Sequence, residues 1–475
     1  MQAYDQRSVE RGGGADFNES QDVCDAGYSH DPLHFLPITC YGGPMLLLHI
    51  SDIHFREPDC VNPDLDPDRP YRTRMIQDAR NRADNLGPVG AILIGGDIAF
   101  KGHPREYEAA KAWIDELARA CGCPLERVFV IPGNHDVDRG VIIRSPAVRN
   151  AQSAIMAVEP HRREREFRAQ FMDTETGRAL LKPLEAYNDF AKLFSCQVYA
   201  PDHLYWKQDL PLEGGTHLRI YGLTSVLLSG AGGGNDTRES LYLSPLQTGL
   251  DPVDDVVNLV MSHHPPDWFS DQDEVEEKIC NRSAIHLFGH KHRQRVSKDD
   301  GYIRFSAGAV NPDRNEVGWQ PAYNLIKVDV VGEGPARALE IEAHLLQWQA
   351  NPEQYRPMQT SQRDEVFRHR IPIPGRTRAP VTVAAAPTTA PPDPMAEADA
   401  DVEAAMSDES TRNLVFRFWK LTVSQRRDIA LGLGLIDRAE MSLPEPERYG
   451  RALLRAGERG LLEQVAREVA KRERP

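Results

Sequence analysis

No stretch of this sequence is apolar for long enough to cross a bilayer. The longest early run, Met45 to Ile50 with only His49 interrupting it, falls far short of the ~20 residues a spanning helix needs. Residues 1–44 also lack the apolar core of a signal peptide, which points away from membranes and export and toward a cytoplasmic protein. Cysteine is sparse and scattered. Cys24, Cys40, Cys60, Cys121, Cys123, Cys196 and Cys280 are odd in number and show no paired zinc spacing, so a disulfide scaffold and a thiolate zinc site are both excluded and a reducing compartment is expected. Basic charge is short as well. A net charge of −15 does not suit a surface that grips duplex DNA without regard to sequence, because that binding needs many clustered Lys and Arg contacts. A nucleotide substrate stays compatible with an acidic protein where bound cations supply positive charge locally.

What is present is unevenly distributed. At 475 residues the chain exceeds one ordinary hydrophobic core. Residues 1–44 are polar and Gly-rich and precede Met45, which opens an apolar run; they read as a disordered extension or a mis-assigned start. Residues 45–350 carry alternating strand and helix patterns, 351–370 close that domain, and 371–410 are rich in Pro, Ala and Thr and read as a linker. Residues 411–475 have a helical apolar pattern and a local basic excess.

Five apolar runs, Met45 to Ile50, Ala91 to Ile94, Val128 to Ile131, Val256 to Met261 and Ala284 to Phe288, read as buried strands. Helices are expected over Tyr71 to Asn85 and Pro104 to Ala120, the latter with Tyr107, Ala110, Ile114 and Leu117 on one face. Later strands are expected over Leu218 to Thr224, Tyr302 to Ser306, Tyr323 to Val330 and Ala338 to Leu346, while residues 137–217 read as a mostly helical insertion. The fold class is therefore α/β with a mixed two-sheet sandwich and flanking helices.

Each of the five apolar runs ends in a polar cluster: Asp52-Ile53-His54, Gly95-Gly96-Asp97, Gly133-Asn134-His135-Asp136, Ser262-His263-His264-Pro265-Pro266 and Gly289-His290-Lys291-His292. Loops leaving strand ends converge in open α/β sheets, so these clusters can face one crevice. Carboxylate, amide oxygen and imidazole without thiolate suit Mn, Fe, Zn or Co ions, and more donors are present than one ion needs. Two ions a few ångströms apart can clamp a phosphoryl group and activate water for in-line attack, which makes phosphoester hydrolysis the expected chemistry. A His beside such a site can protonate a leaving alkoxide; His135 is the candidate, with Asp136 as its expected partner.

In this order the clusters resemble the calcineurin-like metallophosphoesterase superfamily over about residues 45–345. The resemblance implies a four-layer αββα sandwich with two divalent ions, Mn foremost. It implies Asp52, His54 and His292 on one metal, Asn134, His263 and His290 on the other, Asp97 bridging, and His135 near the leaving group. It also favours His263 over its neighbour His264 as the ligand. The Ser262 to Pro266 form, with Gly96 to Gly102, resembles phosphodiesterase and bacterial conflict-system branches more than protein phosphatases. Leu421 to Arg427, Leu433 to Ile436 and Glu447 to Tyr449 resemble small death-like effector-associated adaptor domains, which implies a protein partner for residues 411–475.

The resulting expectation is a phosphodiesterase acting on nucleic acid or nucleotides, recruited as an effector. The alternatives are a small-molecule diesterase for a cyclic nucleotide or glycerophosphodiester, and a non-catalytic scaffold. Blander readings apply elsewhere: Arg162 to Arg168 as a solvated helix face, Trp206, Trp268 and Trp319 as core or rim packing, and Cys121 and Cys123 as ordinary packing.

Overall fold

In the computed structural model, residues 43–238, 240–312, 320–373 and 375 are described for the N-terminal part; 414–415, 417–419, 421, 423–436 and 445–472 are described C-terminally. Cys24, Cys40, Trp319, the 1–42 extension and most of the expected linker lie outside these residues.

The first strands follow directly from apolar runs. β1 (Met45–Ile50), β2 (Val89–Ile94) and β3 (Val128–Val130) are parallel neighbours, and β1 is buried at every position. Burial on both faces is why β1 reads as a continuous apolar run rather than an alternating one. On its other side β1 pairs antiparallel with β10 (Ala322–Val331), which pairs with β11 (Ala338–Ala350); β12 (Glu353–Pro357) and β13 (Phe367–Pro372) both pair with β11.

The second sheet has the order β4 (Trp206–Pro211), β5 (His217–Gly222), β6 (Val256–Ser262), β7 (Ile285–Phe288), β9 (Tyr302–Ser306) and β8 (Arg295–Asp299). Its four inner strands are parallel and its two edges antiparallel. With the flanking helices the two sheets form the expected αββα sandwich.

Helix α1 (Arg69–Leu86) begins two residues earlier than the periodicity predicted, since Pro70 fits the first turn, where its missing N–H is no loss; Gly87 ends it at φ 104°. Helix α2 (Pro104–Ala120) spans the predicted residues and buries Tyr107, Ala110, Ile114 and Leu117. The Glu106 carboxylate accepts from the His103 and Lys101 N–H groups at 3.1 and 2.9 Å, satisfying donors at the helix start.

Residues 139–191 form five helices: α3 (Arg139–Arg144), α4 (Pro146–Ala157), α5 (Pro160–Met172), α6 (Thr174–Leu181) and α7 (Glu185–Ala191). The helical reading of 137–217 does not extend to its last part. Trp206 and Leu210 are buried while Lys207 and Asp209 are not, a period of two that makes β4 an edge strand. The Trp206 ring fills the space a Cβ on Gly222 would need, so the pairing of β4 with β5 depends on that glycine. Similarly β13 continues pairing through Pro372, two residues into the stretch read as linker, because Ile371 and Ile373 are buried.

The chain divides into two units at residues 381/382. Within the second, helices Val423–Gly432, Glu445–Glu458 and Leu462–Arg472 pack around Leu414, Phe418, Ile429, Leu435, Tyr449, Val465 and Val469. Among the described residues no helix is long and apolar enough to cross a membrane.

Candidate metal centre

The five clusters meet at one end of the sandwich. The Asp52 to Phe55 backbone hydrogen-bonds with that of Gly96 to Ile98, tying the loops after β1 and β2 together. The Gly289 N–H donates to the His263 carbonyl at 3.1 Å, doing the same for the loops after β6 and β7. Glycine permits this crowding. A Cβ on Gly133 would overlap Asp97 Oδ1, and one on Gly289 would overlap Ser51 Oγ.

The backbone here is held in an uncommon conformation. Asp52, His54, Asp97, His290 and His292 all have φ between 52° and 65°, the left-handed region that side chains other than glycine seldom occupy. Each such residue costs on the order of 1–3 kcal/mol and persists only where surrounding structure enforces it. Five residues of the expected ligand set therefore carry strain that their identities alone did not reveal.

Their donor atoms form a connected set. His292 Nε2 is 3.1 Å from Asp52 Oδ1, His54 Nε2 3.4 Å from Asp97 Oδ2, and His263 Nε2 3.3 Å from the same Asp97 oxygen. The Asn134 Oδ1 lies 3.0 Å from His263 Nε2 and 2.9 Å from His290 Nδ1. Two donors each about 2.1 Å from one ion stand roughly 3.0–3.4 Å apart at octahedral or tetrahedral angles, so these separations fit shared coordination. Three or more ligand-type atoms within 4.8 Å of one another occur in four overlapping groups, and Asp97 belongs to two of them. The clusters are compatible with a binuclear divalent-metal site.

Electrostatics agrees with a cation site. Burial opposes the Asp97 charge, yet His263 and His54 hold its carboxyl well below the usual carboxylate range. Burial likewise works against Asp52, and His292 outweighs it. His263 loses solvation on burial, but Asp97 and then Asp52 push it up to about 9. His290 is pushed the other way, down to about 3, by burial and by the neighbouring His263. A cluster that draws protons toward its carboxylates when metal-free is one where a cation can replace them.

Second contacts orient the imidazoles. His263 Nδ1 lies 2.8 Å from the Gly95 carbonyl, and His54 Nδ1 3.2 Å from that of Asn311. These bonds aim each Nε2 inward, the outer support that metal-binding histidines require. Asn311 was not legible as a site residue. It follows β9 and donates from Nδ2 to the Ile53 carbonyl at 2.7 Å, and nothing but an Asn-Pro turn marked it in sequence.

His264 is also buried. Its Nδ1 lies 3.0 Å from Ser225 Oγ, its Nε2 has no hydrogen-bond partner among the described residues, and it groups with His263 and His290. Trp268 is half-buried with its ring centroid 4.1 Å from that of His290, whereas Trp206 is core, donating to the Val130 carbonyl at 3.0 Å. Cys121 and Cys123 are buried free thiols pushed up to about 12 by burial. Of the Arg162 to Arg168 stretch, Arg163 is buried against Ser270 and Arg168 pairs with Glu164 on the helix surface.

His135 borders the cluster, stacked on Phe100 at 4.9 Å, with Nδ1 3.0 Å from the Phe100 carbonyl. Asp136 does not pair with it as expected. Its carboxylate is fully buried and accepts from the N–H groups of Ile98, Ala99 and Gly133 and from Tyr107 Oη, so it braces the loops instead. Burial and the Asp97 charge push Asp136 up to about 7, but four donors and no acceptor surround it, an arrangement that suits the ionised form. Adjacency in the motif suggested the pairing; successive residues in the turn point to opposite sides.

Residues 45–294, more than half of the chain, match the calcineurin-like phosphoesterase family. The chain belongs to this family. Residues 410–471 match a GTPase-associated adaptor domain. No curated protein matches the phosphoesterase chain. Similar solved structures include Vps29 of Chaetomium thermophilum, at 11% identity and TM-score 0.27, covering 70% of this chain and 100% of that one. Vps29 of Entamoeba histolytica complexed with zinc is 10% identical at TM-score 0.27, with 69% and 99% covered. GAP50 of Plasmodium is 10% identical at TM-score 0.35, with 70% and 90% covered.

Proposed function

We propose that this phosphoesterase hydrolyses phosphodiesters of nucleic acid or nucleotides, using two divalent ions with Mn foremost. Asp52, His54 and His292 would hold one ion and Asn134, His263 and His290 the other, with Asp97 shared between them. The observation that carries this reading is the donor geometry: separations of 2.9 to 3.4 Å link His54, Asp97, His263, Asn134 and His290, and pair Asp52 with His292, while donor atoms of Asp52, Asp97 and His263 within 4.8 Å of one another join the two sets. Ions bound there would neutralise phosphoryl charge and activate water for in-line attack.

His135 protonates the leaving alkoxide. Its Nδ1 is engaged by the Phe100 carbonyl, which leaves Nε2 to exchange the proton. A scaffold without activity would not need five strained backbones to aim a complete donor set.

The adaptor-domain match supports a second role for residues 411–475: binding a partner protein that recruits the hydrolase, as expected of an effector in a bacterial conflict system. The deciding experiment compares Mn-dependent hydrolysis of bis(p-nitrophenyl) phosphate and p-nitrophenyl phosphate. Diester cleavage should exceed monoester cleavage; faster monoester cleavage would remove the phosphodiesterase assignment. Cyclic nucleotides in the same assay test the small-molecule alternative.

A further inference from the structure

A groove of 540 Å³ opens beside the metal centre. Two of its walls are the candidate ligand loops themselves, through Pro265 and Pro266 after His264 and through Lys291 between His290 and His292. Its floor is the edge of the second sheet. Arg295 lies opposite Ser306 and Ser297 opposite Arg304 across the β8/β9 pair, so all four project from one face, and Phe288 of β7 lies beside Ser306 on that face.

The groove's charge is opposite to that of the protein. It is lined by Lys291, Arg293, Arg295 and Arg304 against Asp267 and Glu276, in a chain with a net charge of −15. Both carboxylates are engaged: Asp267 by Lys291 at 2.8 Å and by Arg238 at 3.3 Å, and Glu276 by Arg304 at 2.7 Å. Arg293 and Arg295 are exposed, and neither has an acidic partner among the described residues. Two uncompensated guanidiniums pointing into a polar groove are suited to phosphate, which they bind in a fork geometry.

The shape and lining narrow the ligand. The volume accommodates one or two nucleotides rather than the width of a duplex, and one aromatic ring, Phe288, lies among the cations. The Arg304 guanidinium lies 5.9 Å from the ring centroid of Phe288, which lines the groove. A basic groove too narrow for a duplex, with an aromatic ring in its floor, suits a single strand.

Resting on the phosphodiesterase reading above, we propose that this groove is a track for single-stranded nucleic acid, taking the phosphates that neighbour the scissile one. A strand whose scissile phosphate lies at His290 and His292 passes Lys291 and then meets Arg293 and Arg295.

The test uses the full chain and a fluorescein-labelled twelve-residue oligothymidylate. Fluorescence anisotropy, with divalent ions chelated so that no cleavage occurs, should show binding that weakens as salt rises. The double variant Arg293→Gln/Arg295→Gln should weaken binding at least tenfold and flatten the log–log salt dependence by roughly 1.4, about 0.7 for each phosphate that is no longer neutralised. Arg295→Lys alone should retain most of the affinity, and thermal melting of both variants should match the parent. Binding unchanged in the double variant, absent in the parent, or stronger for a duplex of equal length would overturn the track. Hydrolysis of bis(p-nitrophenyl) phosphate separates the two claims. Diester cleavage without oligonucleotide binding sinks the groove and leaves the activity standing, whereas binding without any diester cleavage sinks the activity and with it the groove's role in substrate recognition.

Discussion

The two units of this chain bury different things. In the phosphoesterase unit, carboxylates and imidazoles lie at the strand ends with almost no solvent contact: Asp52, Asp97, Asp136, His263 and His264 are each at most 1% exposed. In the helical unit the buried set is apolar, apart from Arg426 among the described residues. Its guanidinium lies 4.9 Å from the Trp419 ring centroid and donates to the Trp419 carbonyl at 2.9 Å. None of the candidate metal groups falls in that unit. Burying unpaired charge is expensive, so a fold retains it where another charge or a cation compensates. Chemistry and attachment are thus divided between two kinds of core, and substitutions in each can break that division.

The largest effect is expected at Asp97, which belongs to two of the overlapping ligand groups. Asp97→Ala should lower metal-dependent diester hydrolysis on the order of 10³-fold or more, comparable with losing a principal transition-state electrostatic group. Elemental analysis should find fewer than two ions bound per chain. A variant that keeps both ions and most of its activity would break the assignment of the polar core to catalysis.

His135 comes next, because it borders the donor set rather than bridging it. His135→Ala should slow esters with poor leaving groups by roughly 10²–10³-fold, within the range for general acid catalysis, and activated aryl esters far less. Equal loss on both would mean that the ring acts only through packing against Phe100 and His54.

The strand ends and the two-sheet sandwich were legible in the sequence because each depends on local pattern, an apolar run and then a polar cluster, whereas the division of seven residues between two ions came from the family resemblance and not from pattern. Local pattern did not carry features that depend on approach between segments. The left-handed backbones of Asp52, His54, Asp97, His290 and His292 follow from how the loops are tied to one another, not from residue type. Ser225 enters the site through His264, and Asn311 through His54 and the Asp52 and Ile53 carbonyls, contacts made across the fold. The basic groove was hidden for the same reason. Arg295 and Arg304 share a face only because β8 folds back on β9, and the polar segment Arg295 to Asp299 carries little strand signal of its own. Asp136 shows the converse: its position in the motif suggested chemistry, and its four donors show a brace.

That brace gives a prediction intermediate in size. Asp136→Asn replaces one carboxylate oxygen with an N–H₂ group that would face donors, leaving at least one buried donor unsatisfied. A stability loss of about 1–3 kcal/mol, or somewhat more because the bonds removed are charge-assisted, should appear in urea unfolding, with a smaller fall in hydrolysis as the loop loosens. If stability held while activity collapsed on poor leaving groups, Asp136 would return to the acid–base role and the division within the polar core would need redrawing.

The smallest effect on hydrolysis is expected from the helical unit. Phe418 is 1% exposed and packs edge-on against Tyr449 at 6.0 Å. Phe418→Ala should therefore destabilise that unit by about 3–5 kcal/mol, enough to unfold a small helical core. Removing residues 408–475 is the complete version of the same change. Either should leave hydrolysis of a small diester within about twofold of the parent, since among the described residues no candidate metal group falls beyond residue 381. The readout that should change is capture of the partner protein, compared between the intact chain and each variant. A large fall in small-diester hydrolysis on truncation, with the phosphoesterase unit still folded by near-UV circular dichroism, would show that the apolar core contributes to chemistry. The separation between the two kinds of core would then fail at its weaker side, since the polar centre would depend on a unit whose described residues include no candidate metal group.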